Sequence, residues 1–149
     1  MTEVMRLVGR SLASEVVMRE MLHLMSELLG LNRGRIVLRD DIESRLAAPR
    51  RRPLPADVGS SIRHAYGLTR AEMARGRYAS GEGITGRVLA SGQPMLVQDI
   101  DAEPLFLARA VERRRLPPET VAFLAVPIDV GGQTLGVLAC HRIRSRHRH

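Results

Sequence analysis

The chain has 149 residues, 44% of them hydrophobic, and a formal net charge of +7, with a mean hydropathy of −0.09. That length suffices for one domain with a real core, and no apolar run approaches the roughly 20 residues a membrane helix needs. A single cysteine, Cys140, excludes an internal disulfide framework and any zinc site built from several cysteines.

Every Lys or Arg position, 23 in all, is Arg, and the arginines cluster at 50–52, 113–115 and in the tail from Arg142. A nucleic-acid face wants a continuous basic stripe with interleaved aromatics, whereas this chain has two Tyr, two Phe and no Trp. No direct sequence-specific DNA binding is therefore expected of this segment. The start, Met1-Thr2-Glu3, lacks the basic region and apolar core of a signal peptide, so a cytoplasmic location is the expectation.

Residues 2–30 are helical in pattern. Val17, Met21, Leu24, Met25 and Leu28 follow the spacing of one helix face, and Met18, Leu22 and Leu29 widen it, so the helix is expected to be covered on two sides. Gly9 and the serines at 11 and 14 suggest a break, with Ser14 as N-cap. Ile36-Val37-Leu38 is a first strand within 35–39. Residues 40–60, with the run Pro49-Arg50-Arg51-Arg52-Pro53-Leu54-Pro55, read as a long solvated loop. Residues 61–68 alternate as a second strand, and Thr69 caps a short helix, 70–74, ended by Gly76.

Gly81, Gly83 and Gly86 spell G-x-G-x-x-G, but no β run precedes them and the following helix ends by Gly92. A dinucleotide fold is rejected for lack of a βαβ unit. What remains is a tight loop entering a short helix, whose free N–H groups suit an anion. Residues 95–100 make a third strand. Pro104 fits the first position of a helix running to about Leu116, which Pro117-Pro118 stops.

The organising feature comes last. Two apolar runs, 121–130 and 134–140, are joined by Gly131-Gly132, a strong hairpin signal because the favoured turn needs positive φ at both central residues. Pro127 argues for a bulge or strand end, and Gly136 for a bulge or close backbone approach. An antiparallel sheet with helices packed on it follows. The tail after Arg142 is too short for another helix and reads as cut from something longer.

Arg77-Tyr78-Ala-Ser-Gly-Glu-Gly-Ile-Thr-Gly-Arg-Val, Val97-Gln-Asp-Ile, Ala122-Phe-Leu-Ala-Val-Pro-Ile and Leu135-Gly-Val-Leu-Ala-Cys-His-Arg together resemble a GAF domain. Within that family they are most similar to the N-terminal sensory domains of the NifA, AnfA and VnfA activators of nitrogenase genes. The resemblance implies an α+β, PAS-related fold with a six-stranded antiparallel sheet flanked by helices. It further implies a small-molecule pocket between sheet and overlying loops, and ATPase and DNA-binding domains downstream that act on polymerase carrying the nitrogen-type sigma factor, sigma-54. The expected organisation is a helical extension at 1–13, the GAF domain at 14–146 and a truncated tail at 147–149. Two departures stand out: the Arg/Pro-rich loop is longer than the family pattern, and the cysteine-rich start that accompanies an iron–sulfur cluster in some of these activators is absent.

No enzyme is expected. Methionine sulfoxide reduction, known in some GAF domains, needs a thiolate and a resolving thiol, and Cys140 stands alone in an apolar strand. His141 beside it points to the opposite strand face, a poor metal pair; no catalytic or metal-ligating residue is assigned. The ligand-binding candidates are Gly83, Thr85, Gly86, Arg87 and Arg109, because amides and guanidinium groups recognise carboxylates. By resemblance, the expected ligand is a small anion such as 2-oxoglutarate, and no cofactor is assigned. A homodimer through the N-terminal helices is expected. A ligand-free dimerisation or docking module, or a sensor of another signalling protein such as a histidine kinase or phosphotransferase, is the alternative.

Overall fold

A computed structural model of the chain describes residues 3–47, 55 and 57–144, with the backbone alone described for residues 3–14. In chain order the elements are α1 (Glu3–Leu29), β1 (Asn32–Arg39), α2 (Ile42–Ala47), β2 (Ser60–Ala65), α3 (Arg70–Arg75), β3 (Arg77–Tyr78), α4 (Gly83–Ser91), β4 (Met95–Val97), β5 (Thr120–Val130) and β6 (Gln133–Arg144). The strands form the six-stranded sheet that the resemblance implies, in the order β3-β2-β1-β6-β5-β4, with every neighbouring pair antiparallel.

The β5–β6 hairpin is its centre. Gly131 and Gly132 take φ of 58° and 80°, both positive as the tight turn demands. The ladder runs from Val130↔Gln133 down to Thr120↔Arg144, with a bulge between Ile128 and Asp129. Pro127 sits one residue before that bulge and beyond the Met95↔Ala125 end of the β4 ladder, where its missing N–H costs least. Gly136 marks a close approach: a Cβ there would lie 2.6 Å from Leu38 Cδ2 and 2.8 Å from the Val37 carbonyl oxygen.

The two faces of the sheet are covered unequally. On one, Val37, Val121, Phe123, Ala125, Val137 and Ala139 form the core with Ile84 and Val88 of α4. On the other lies α1, whose Leu22 is 1% exposed and touches the Cβ position of Gly34 at 3.0 Å. The stripe that periodicity singled out mostly points away from the sheet: Val17 is 61%, Leu24 48% and Leu28 76% exposed. From Glu15 on, the helix is therefore covered on one side only among the described residues.

Four readings are corrected. α1 is continuous from Glu3 to Leu29, with no break at Gly9 or N-cap at Ser14; an isolated Gly costs roughly 1 kcal/mol in a helix interior, which neighbouring Leu, Met, Glu and Arg outweigh. The stretch read as loop contains α2, where the Ser44 hydroxyl donates to the Asp41 carbonyl at 2.9 Å; residues 48–54 and 56 lie outside the described residues.

The expected helix at 104–116 does not form. Ala108 has a φ of 52°, incompatible with helix, and only a 3-10 turn at Arg113–Arg115 is regular. Here tertiary contacts override propensity. The Arg109 and Ala110 carbonyls accept from the Arg75 guanidinium at 3.4 and 3.0 Å, and Phe106 packs edge-on to Phe123 with ring centroids 5.1 Å apart. The expected third strand also ends early, at Val97, because Asp99 caps a 3-10 turn, Ile100–Ala102, by accepting from Asp101 N. By contrast α3 forms as read: Thr69 and Glu72 make a reciprocal capping box and Gly76 follows as C-cap.

Candidate functional site

Between the core face of the sheet, α4 and residues 106–111 lies a cavity of about 20 Å³. That is room for roughly one or two waters. Its apolar lining comes from Ile84, Phe106, Val111 and Phe123 among others, and its polar lining from Arg35, Tyr78, Thr85 and Arg109.

Arg35 is the unusual member. It follows a bulge in the β1–β6 pairing between Asn32 and Arg35, where Arg33 takes a φ of 52°. Bulges re-aim side chains, and Arg35 is carried onto the core face at only 3% exposure. Its Nη1 donates to the Arg33 carbonyl at 3.3 Å, its Nη2 lies 2.7 Å from His141 Nε2, and its Cζ stands 5.2 Å from the Phe123 ring centroid. Among the described residues no carboxylate comes within 4.0 Å of it. Burial lowers its pKa, an effect that Tyr78, Cys140 and Glu72 partly oppose.

His141 completes the cluster. It is 0% exposed and packs edge-on against Phe123 and Phe106, at 5.0 and 6.0 Å between centroids. Arginine only donates, so Nε2 of His141 is the acceptor and the ring proton sits on Nδ1. That Nδ1 finds no hydrogen-bond partner among the described residues. Burial first, and the Arg35, Arg33 and Arg113 charges after it, push the imidazole pKa down to about 2, so the ring is neutral at any ordinary pH. A buried guanidinium without a carboxylate therefore stands beside a buried N–H without an acceptor.

The sequence-predicted residues separate. Thr85, 4% exposed, and Arg109 line this cavity. Arg109 is already engaged: it donates to the Arg77 carbonyl at 2.7 Å, pairs with Glu82 and lies over the Tyr78 ring. That arginine, with the Ala79 amide, holds the Glu82 carboxyl down at about 2. Gly83 and Gly86 are accounted for by packing. A Cβ on Gly83 would meet Leu107 Cδ1 at 2.8 Å, and one on Gly86 the Gly81 carbonyl carbon at 2.8 Å. Gly86 borders a different cavity, with Arg39, Ser80 and Leu89. Arg87 is exposed and lines neither cavity.

Sequence reasoning missed Arg35 and its contact with His141. The available signal was parity: Arg35 shares the strand face of Val37, so an arginine falls on the core side of β1. Cys140 lies on the other face with Leu96 and Ala122, and burial raises its thiol pKa, opposite to what a reactive thiol needs. Among the described residues no group of three or more His, Cys, Asp or Glu is placed to hold a metal. No helix among them is long and apolar enough to cross a membrane.

A GAF domain profile matches residues 14–149. The chain is 33% identical over 141 residues to the Nif-specific regulatory protein of Herbaspirillum seropedicae, a match spanning 94% of this chain and 23% of that protein. To the nitrogen fixation protein VnfA of Azotobacter vinelandii it is 39% identical over 89 residues, spanning 58% of this chain and 17% of that one. The chain thus spans about a fifth of the length of the curated relatives it matches. Among solved structures it is similar to the GAF domain of A. aeolicus nlh2 in an inactive state, with a TM-score of 0.68 and 24% identity, over 88% of this chain and 69% of that one. A likeness at that identity bears on the fold.

Proposed function

The chain belongs to the GAF domain family, and from that premise we propose that it is the small-molecule-sensing regulatory domain of a cytoplasmic nitrogen-fixation activator. In this reading it binds a small anion such as 2-oxoglutarate and passes its state to ATPase and DNA-binding modules outside the chain, which act on polymerase carrying sigma-54. It performs no catalysis, consistent with the buried position and raised thiol pKa of Cys140. Relatedness to the Nif-specific regulators supports the regulatory setting. The observation that carries the ligand is Arg35, a buried cation lining a cavity with no carboxylate beside it among the described residues. A ligand that binds only the folded state adds about 2.7 kcal/mol at a hundredfold excess over its Kd, which is several degrees in melting temperature. Millimolar 2-oxoglutarate is expected to raise the melting temperature of the chain by that order. A flat response to 2-oxoglutarate, succinate, small inorganic anions and nucleotides would set the reading aside.

A second reading has its own observation. Val17, Met21, Leu24 and Leu28 are spaced four, three and four residues apart, the repeat of a coiled-coil seam, and all four are exposed, Leu28 to 76%. We infer that two chains pair through this face of α1, whether or not a ligand binds. Sedimentation equilibrium should return a dimer, and Leu24→Asp with Leu28→Asp a folded monomer. A monomeric wild-type chain at high concentration would count against the pairing.

A further inference from the structure

We propose that Arg35 is the anion receptor of the cavity: its guanidinium takes one oxyanion head group, a carboxylate or an inorganic anion of similar size, in the space beside Phe106 and Phe123. The inference rests on the ligand-sensing reading above and deepens it by naming the receiving group and the chemistry it selects. Isolated buried charge is costly unless it is paired, and the described hydrogen bonds of Arg35 engage only one donor each on Nη1 and Nη2, to a carbonyl and an imidazole. A guanidinium offers five N–H donors in a planar fork that matches an oxyanion. Phe123 stacks under that fork, and His141, which receives Nη2, fixes its orientation. The wall residue Arg109 is taken by Glu82 and the Arg77 carbonyl, which leaves Arg35 as the cavity arginine with no carboxylate partner among the described residues. With about 20 Å³ of space, only a head group enters without movement. The body of a longer ligand must displace the 106–110 segment.

The test is calorimetric titration of the whole 149-residue chain with formate, nitrate, succinate and 2-oxoglutarate, beside the neutral formamide and succinamide. At least one anion should bind the wild type and neither amide should. Formate or nitrate binding identifies a small anion as sufficient; binding of only the dicarboxylates identifies the longer ligand. Arg35→Met should keep the circular dichroism spectrum, because removing an unpaired buried charge is tolerated, and should weaken binding at least about tenfold, the loss expected for a charged hydrogen bond. Arg87→Ala should bind as the wild type does. Should Arg35→Met fail to fold, Arg35→Lys, which keeps charge but loses the fork, decides by the same loss. In the wild type, the His141 imidazole nitrogen resonances should move on anion addition while those of His23 and His64 stay. Anion binding untouched by Arg35 substitution, or equal binding of the amides, overturns the proposal and leaves the sensing reading standing. No binding by anything tried removes both.

Discussion

The β5–β6 hairpin and the segment at 104–116 face each other through the core, and they are held by different physics. The hairpin is held by a continuous backbone ladder from its turn to Thr120↔Arg144, so each residue's partner follows from the turn. The segment has almost no ladder. Its Arg109 and Ala110 carbonyls are taken by the distant Arg75, and its own Arg113 donates to the Pro117 and Glu119 carbonyls just beyond it, at 2.7 and 2.9 Å. The first arrangement makes a stiff floor under Arg35. The second makes a cavity wall pinned by a few side-chain contacts, the low-stability kind of region from which ligand-binding elements are drawn.

That contrast can be broken most violently at Gly136. A valine there would place its Cβ 2.8 Å from the Val37 carbonyl oxygen, which backbone pairing cannot yield, so Gly136→Val is expected to abolish the folded state in a denaturation series. A cooperative transition near the wild-type midpoint would show that the floor is soft. Phe123→Ala comes next, at about 3–5 kcal/mol, because Phe123 supports Phe106, Arg35 and His141 together. Urea unfolding at neutral pH measures it.

Acid should separate the regions through His141. Its folded pKa is depressed to about 2, while an unfolded imidazole titrates near its ordinary value of about 6.5. Below that value the unfolded state binds a proton that the folded state refuses. Stability is therefore present in full above about pH 6.5 and falls with acidification by up to about 1.4 kcal/mol per pH unit. Unfolding free energies between pH 7 and 5 should show this slope, and His141→Gln should flatten it. An equal slope in the variant would assign it to other groups. Glu82 adds to the same trend at lower pH, since its depressed carboxylate also loses its contribution as pH falls toward about 2.

Gly132→Val should cost less, about 1–2 kcal/mol, because positive φ strains a side chain while nothing lies within 4 Å of its Cβ. The smallest effect on global stability belongs to Arg75→Ala, since it removes only two side-chain bonds to the Arg109 and Ala110 carbonyls. Hydrogen exchange at residues 105–111 should nonetheless speed up while the β5–β6 amides stay protected. Uniform exchange in both regions would erase the distinction.

What the sequence disclosed divides along the same line. Gly131-Gly132 located the turn, and Thr69 with Glu72 located α3, because each signal acts within a few residues. The six-stranded antiparallel sheet came from family resemblance, while its order stayed unread, since apolar pattern alone does not say that β1 lies beside β6. Alternation with Val37 put Arg35 on the core side of β1, but its contact with His141 stayed hidden because it depends on the pairing of β1 with β6. The helix expected at 104–116 failed because Arg75, some 34 residues away in sequence, claims the carbonyls. On α1 the period was legible but not the side: Leu22 rather than Leu24 meets the sheet, and that choice is made by Gly34 opposite it.

The central claim is that a buried arginine on β1 receives an anion against the stiff face of the sheet. Crystals of the chain grown with 2-oxoglutarate, and separately with formate, test it most directly. The account predicts an oxyanion about 2.7–2.9 Å from Arg35 nitrogens, with residues 106–110 displaced by the longer ligand and β5–β6 unmoved. Ligand density held by Arg87 on the exposed side of α4, with Arg35 still bonded only to His141 and the Arg33 carbonyl, would contradict it.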